Sequence, residues 1–312
     1  MHSIKHAAAI LRRGGLVAFP TETVYGLGAD ASNPAAVARI YKVKGRPSAH
    51  PVIVHIGDLT QLARWAREVP EYAAKLAGRF WPGPLTLVLR RAAGVHDDIT
   101  GGQDTIGLRV PGHPVALDLL REFGGGIAAP SANRFGRISP TTADHVRHDL
   151  DPDVDLILDG GVCEIGIEST IIDLSRGKPV LLRPGRIGEK DIAEVLGTGS
   201  APRDPDAPRA PGALASHYAP LRPMRLVKTQ DWDARARGKS TRCGVMSFRA
   251  RPASSSAFWI ETSSDPQRYA HDLYANLRTL DSSGCDEILV EEPPASPAWA
   301  AVRDRLNRAR SE

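Results

Sequence analysis

Apolar residues recur along this chain at two periods, and the alternation between them outlines the fold. Ile4, Ala7, Ala8 and Leu11 fall at helical spacing, and Gly14-Gly15 stops that helix. "LVAFP" (16–20) then reads as a buried strand. "ASNPAAVARIYKVKG" predicts a second helix, with Asn33 as its N-cap and Pro34 at its first position. "PVIVHI" is a strand, and helical stretches follow near 58–67 and 70–79. "LTLVLR" and "TIGLRV" read as strands, 114–123 as a helix, "GIAAP" as a strand and 141–149 as a helix. "DLILDGG", "STIIDL" and "PVLLRPG" predict three further strands, and 189–196 a helix. Interleaved strands and helices predict an α/β fold, with a mixed sheet because several strands follow one another directly.

The pattern changes at residues 198–220, which hold five prolines and two glycines and few core-forming residues. This segment reads as a stiff linker. Beyond it "MRLV", "GVMSF", a helix near 265–280, "DEILVEE" and a helix near 297–309 predict a second, smaller α/β domain. The expected division is 1–197, a linker at 198–220, and 221–312.

Composition narrows the class without naming it. The 312 residues are 42% hydrophobic and 24% charged, enough for a sizeable core without disulfides or structural metal. A net charge of +4 favours anionic ligands mildly and does not by itself indicate nucleic acid. Cys163, Cys243 and Cys285 are odd in number and far apart, which argues against a disulfide framework and a zinc site and suits a reducing cytoplasm. No apolar run approaches the roughly 18 residues of a membrane span, and the N-terminus lacks the apolar length of a secretory leader. A cytoplasmic protein is expected.

The chemistry gathers where strands end. Thr21, Glu22 and Thr23 follow the first strand, and Lys44 and Arg46 flank Gly45 in "VKGRP". Arg109 closes "TIGLR", and Ser131, Asn133 and Ser139 lie in "APSANRFGRISPT". Ser169 and Thr170 open "STIIDL", and Arg183 and Arg186 sit in "LLRPGRIG". A lone cation after a helix usually caps its dipole, and lone threonines or serines usually satisfy turns. Five such loops, each following a strand, point instead to a pocket for a phosphate-bearing ligand and a carboxylate. The spacing is not that of a P-loop. Glu22 and Glu168, the acids of these stretches, form no obvious acid–base pair, and no Ser-His-Asp arrangement stands out. "SHYAP" at the end of the linker offers Tyr218, either as a tether or as part of a lid over the pocket.

Taken in order, "FPTETVYGLG", "YKVKGRP", "WPGPLTLVL", "TIGLRVP", "APSANRFGRISPT", "ESTIIDL" and "LLRPG" resemble the YrdC-like catalytic domain. The "HYAP" linker and the extra domain resemble the two-domain form of the threonylcarbamoyl-AMP synthases. The resemblance covers residues 1–220 closely and 221–312 more loosely. It implies a twisted, open mixed sheet with a deep pocket and a Rossmann-like C-terminal domain. It also implies a reaction in which L-threonine, bicarbonate and ATP give threonylcarbamoyl-AMP and pyrophosphate. Partner proteins would then pass the threonylcarbamoyl group to an adenosine beside the anticodon of certain tRNAs.

Residue by residue, the resemblance assigns ATP contacts to Lys44, Arg46, His50, Thr105, Ser131, Asn133, Ser139, Arg183 and Tyr218, with Lys44 and Arg46 as the catalytic cations. Threonine contacts fall on Thr23, His55, Arg109, Ala129 and Ser169. Mg²⁺ is expected through the ATP phosphates, with no protein ligand set of its own. Members of the family commonly carry Asn where this chain has His50, and basic residues where it has "PGALAS" before the histidine. Two competing readings remain: a double-stranded RNA or tRNA-binding module without catalysis, and a domain that uses carbamoyl phosphate instead. The first predicts exposed cations interleaved with aromatics, yet aromatics make up only 5% of the chain. Weak RNA binding beside catalysis is compatible with the charge. The second reading usually comes in longer chains with further domains.

Overall fold

The computed structural model describes residues 3–212, 214, 216–232 and 242–311. Backbone contacts divide the chain into two units, one of residues 1–135 and 140–213, the other of 136–139 and 214–312. Residues 198–212 of the proline-rich segment thus belong to the first unit, and Ala213 and Ala215 lie outside the described residues.

In the first unit, helix α1 (Ile4–Arg12) leads into β1 (Val17–Phe19) and β2 (Gly26–Asp30). Helix α2 (Pro34–Lys44) starts on the Asn33 side chain, which accepts from the amides of Ala35 and Ala36. It stops at Gly45, whose φ of 64° is the left-handed conformation that favours glycine. Then come β3 (Ile53–His55), α3 (Leu62–Trp65), α4 (Glu71–Phe80), β4 (Leu85–Arg90), α5 (Asp97–Thr100) and β5 (Thr105–Arg109). The unit continues with α6 (Pro114–Phe123), β6 (Ile127–Ala128), α7 (Ala143–Leu150), β7 (Leu156–Ile157), β8 (Thr170–Asp173), β9 (Val180–Arg183) and α8 (Glu189–Leu196). Nine strands form one mixed sheet in the order β7-β1-β2-β6-β3-β5-β4-β8-β9.

Three elements of this unit depart from the expected pattern, and the single turn of α5 is one that the sequence pattern does not predict. The stretch near 58–67 is a 3-10 turn followed by the single turn of α3, rather than one helix. "GLGAD" forms β2, although glycine weakens strand propensity. A Cβ at Gly28 would come within 2.8 Å of Ile127 and Phe19, so the glycine permits the close approach of its neighbours.

The two faces of this sheet differ. Leu27, Val54, Leu85, Leu87, Leu89, Ile106, Leu108 and Ile172 point to one face and form the main core with α2, α3, α4, α7 and α8. On the other face, α1 and α6 cover Val17, Phe19, Ile127 and Leu156 at the β7-β1-β2-β6 end. Towards β9 the same face presents Ile53, Val88, Ile171 and Val180, and among the described residues the segment containing Ala201, Ala207 and Ala210, rather than a helix, packs there.

The second unit is a parallel sheet of β10 (Met224–Val227), β11 (Cys243–Ser247), β12 (Phe258–Glu261) and β13 (Glu287–Glu291), in the order β10-β13-β11-β12. Helix α9 (Pro266–Ser282) joins β12 to β13, and α10 (Ala300–Ala309) follows β13. Both faces of the inner strands β11 and β13 are buried. Helix α9 packs on β11 and α10 on β10, while Val227, Val245 and Leu289 meet Trp232, Ala257 and Trp259 on the opposite side. This is the Rossmann-like arrangement expected from the sequence, with β12 an additional strand that "FWIE" did not announce.

Candidate active site

Register places the anticipated residues. In β5, Thr105, Gly107 and Arg109 share a face by strand alternation, and Ile106 and Leu108 turn into the core. Pairing aligns Arg109 with His55 and Gly107 with Ile53 in β3. It aligns Gly107 with Val88 in β4, which puts Thr86 on the same face, and Thr86 with Ile171 and Ile171 with Arg183 across β8 and β9. Residues dispersed over 130 positions therefore meet on a part of the sheet where, among the described residues, the 201–210 segment packs rather than a helix.

Arg109 is the hub of one corner. Its Nη2 lies 2.6 Å from Glu22 Oε1, its Nη1 donates to Thr23 Oγ1 at 3.0 Å and its Nε to the Gly83 carbonyl at 3.1 Å. Both ends of the ion pair are almost fully buried. Thr21 stiffens the turn, with its hydroxyl 2.8 Å from that of Thr23 and donating to the Val24 carbonyl at 2.6 Å. His55 is fully enclosed. Burial first, then the neighbouring Arg109, pulls its pKa down to about 3, against an opposing hydrogen bond to the backbone at Ile127. The imidazole is neutral at physiological pH, and its Nδ1 has no hydrogen-bond partner. Ala129, also expected here, donates its amide to the Ile53 carbonyl at 3.0 Å.

Ser169 and Arg183 form an adjacent group. Arg183 donates from Nε and Nη2 to the Ser169 carbonyl at 3.0 and 2.9 Å, and from Nη2 to its hydroxyl at 3.1 Å. That hydroxyl also lies 2.8 Å from Thr86 Oγ1, a residue sequence reasoning passed over although alternation in "LTLVLR" sets it apart from the core leucines. Arg183 Nη1 donates to the Pro211 carbonyl at 3.0 Å. Arg209 bonds through its amide to Gln103 at 2.7 Å and through Nη2 to the Gly101 carbonyl at 2.7 Å. Through these ties residues 201–211 run across the open face as a strap.

Lys44 and Arg46 make a third group with the 131–135 loop. The Lys44 ammonium donates to the carbonyls of Ser131 and Asn133 at 2.6 and 2.5 Å. Burial, then Arg46, pushes its pKa well below the usual lysine value. Lys44 thus braces the loop that carries Ser131 and Asn133, a duty beyond the phosphate contact anticipated for it. Arg46 donates to the Pro51 carbonyl at 2.7 Å and stacks its guanidinium over Phe135 at 5.6 Å, and the His50 ring lies 5.5 Å from the same phenylalanine. Partial burial, then Arg46 and Arg209, lowers the His50 pKa. Thr105 stands at the opposite end of β5 from Arg109, about 13 Å away by strand rise. Ser139 and Tyr218 fall in the second unit. There Tyr218, at φ 64°, is buried against His217 and Tyr274 with the Arg305 guanidinium over its ring.

The cations Lys44, Arg46, Arg109 and Arg183 are all buried, which is not the exposed footprint of an RNA-binding surface. Among the described residues, no group of three or more His, Cys, Asp or Glu is placed to hold a metal ion, and no helix is long and apolar enough to cross a membrane. The three cysteines are buried and unpaired with one another.

Comparison with known proteins agrees with this geometry. Residues 9–185 match the Sua5/YciO/YrdC family, described as "Telomere recombination", and residues 187–311 match "Threonylcarbamoyl-AMP synthase, C-terminal domain". Threonylcarbamoyl-AMP synthases of Pyrococcus abyssi and Bacillus subtilis are each 41% identical to this chain, over 98% of it and 93% and 92% of their own lengths. The chain belongs to the threonylcarbamoyl-AMP synthase family. The crystal structure of P. abyssi Sua5 complexed with L-threonine superposes with a TM-score of 0.88 at 40% identity, covering 98% of this chain and 93% of that one. Membership in the synthase family makes this an enzyme of the nucleotidyl-transfer type, and it bears out the mixed α/β sheet and the small parallel domain read from the sequence.

Proposed function

We propose that this chain condenses L-threonine, bicarbonate and ATP into threonylcarbamoyl-AMP, with release of pyrophosphate and water, as the first step of a tRNA modification. The observation that carries the reading is the convergence of Arg109, His55, Ser169 and Arg183 on one face of the nine-stranded sheet, beneath the 201–211 strap. Arg109 is aimed by Glu22 and Thr23 and would receive the threonine carboxylate. His55 is neutral with a free Nδ1 lone pair, and would accept a proton-bearing group of threonine, its hydroxyl or its amine. The threonine amine adds to carbon dioxide drawn from bicarbonate. The resulting N-carboxylate attacks the α-phosphorus of ATP, and pyrophosphate leaves.

The nucleophile is itself an anion, so the protein's task is positioning and charge neutralisation. Arg46 and Arg183 would face the triphosphate, and Lys44 would hold Ser131 and Asn133 at the height of the phosphates. Thr105 and His50 would reach the nucleotide further along the same face. Mg²⁺ would enter with ATP and would help neutralise its phosphate charge, beside Arg46 and Arg183. The product would pass to a partner that transfers an activated acyl group to a tRNA adenosine.

Incubation with ATP, threonine and ¹³C-bicarbonate, followed by mass spectrometry, tests the assignment. An acyl-adenylate carrying one heavy carbon is expected, with far less from Arg46→Ala. An unlabelled product, or equal yield from the variant, overturns it.

A further inference from the structure

A cavity of about 540 Å³ opens at the carboxyl edge of the four-stranded sheet, wholly within the second unit. The chain leaving β13 turns back to α10, which packs on β10, whereas the chain leaving β11 goes the other way to β12. Neighbouring strands whose connections diverge leave a crevice at their carboxyl ends, the usual ligand position in open α/β sheets. Phe248 lines the cavity from the end of β11, Glu292 to Ala295 from the end of β13, Thr229 from the end of β10 and Arg303 from α10.

The lining has a definite chemistry. The Phe248 ring is braced at 5.5 Å by both Tyr269 and Trp299, which makes it a fixed apolar wall. Glu291 also lines the cavity, but it is buried and engaged: it accepts from the Ser247 hydroxyl at 2.7 Å and the Phe248 amide at 3.2 Å and pairs with Arg249 at 3.3 Å. Glu292 is different. Its Oε1 lies 3.1 Å from Arg303 Nη2, while Arg303 Nη1 donates to the Pro293 carbonyl at 2.6 Å. Among the described residues, neither the second oxygen of Glu292 nor the Thr229 hydroxyl takes a protein partner.

Pockets of 300–1,000 Å³ suit ligands larger than an amino acid or a lone phosphate. A rigid aromatic wall takes a planar ring, and a carboxylate held by an arginine at a strand end takes vicinal hydroxyls, as acids at this position take those of ribose. "KTQD", directly after β10, has no glycine-rich cradle for a pyrophosphate, which disfavours a dinucleotide. We propose that this crevice is a second ligand site that binds a ribonucleoside moiety, with the base against Phe248 and the ribose hydroxyls on Glu292. The site stands apart from the proposed reaction and does not depend on it.

Photolabelling of the full chain with 2-azidoadenosine, followed by peptide mapping, tests the site. Label is expected in peptides within 243–311, with adenosine displacing it and 2′,3′-dideoxyadenosine competing about tenfold more weakly for want of the hydroxyls. AMP in place of adenosine distinguishes a nucleoside site from one that also prefers a phosphate. Glu292→Ala should lower the labelling about tenfold while leaving thermal melting and threonylcarbamoyl-AMP formation unchanged. Label confined to residues 1–212, equal competition by the dideoxynucleoside, or undiminished labelling of Glu292→Ala overturns the proposal.

Discussion

The two sheets of this chain deploy chemistry in different places. The inner strands of the parallel sheet, β11 and β13, are buried on both faces, and Ser247, Glu291 and Glu292 stand at their carboxyl ends. The mixed sheet has one face in the core and leaves part of the other without helices, so its strands alternate between packing and chemistry. In β5 three of five side-chain positions face the site and two face the core. An enzyme that must seat a nucleotide and an amino acid side by side gains from a face, because a face offers several strands' worth of fixed positions.

The sharpest way to break this contrast is Arg109→Ala. It removes the hub of the proposed threonine corner and leaves Glu22 buried without its counter-ion, a loss of about 3–5 kcal/mol in stability. Denaturant unfolding should register that loss, and product formation should cease. Gly107→Leu separates the face from the fold. A Cβ there meets Ile53 and Thr86 at an ordinary 3.5 Å, so the sheet tolerates it, yet the side chain projects onto the substrate face. Product formation should fall about 100-fold from displaced substrates, with a melting temperature close to wild type. If activity survives, the face is not where the substrates sit.

Glu22→Gln keeps an acceptor beside Arg109 and removes the charge. The expected outcome is a rise of about tenfold in KM for threonine with a smaller change in kcat, since the residue touches Arg109 rather than the reacting atoms. His55→Phe gives the smallest effect on the fold at neutral pH and a distinct signature in acid. The folded-state pKa of His55 is depressed to about 3 from 6.5, so its neutral form supports the fold above pH 6.5, and that support is lost as pH falls towards 3. Between those limits the wild type should take up about one more proton on unfolding than the variant, read from the pH dependence of urea unfolding.

Much of this was legible in the sequence, for physical reasons that vary with the element. The Asn33-Pro34 start and Gly45 stop of α2 are local backbone chemistry, and they mark its ends to the residue. "TIGLRV" carries its two faces openly, since Ile106, Leu108 and Val110 alternate with Thr105, Gly107 and Arg109. β2 was hidden because "GLGAD" is suited to close packing against Phe19 and Ile127, which no propensity records. The ion pair of Arg109 with Glu22, 87 positions apart, depends on the tertiary pairing of β1's following turn with the end of β5, as does the hydroxyl contact of Thr86 with Ser169. The strap at 201–211 read as a spacer, because its prolines signal stiffness and its alanines give no sign of the apolar strip they cover.

The strict alternation of β5 also limits how the chain can vary. Inserting or deleting one residue between Thr105 and Arg109 would carry the guanidinium into the hydrocarbon interior and turn leucine and isoleucine towards the proposed substrate face. The length of that strand, more than its lettering, is what the molecule has least freedom to alter.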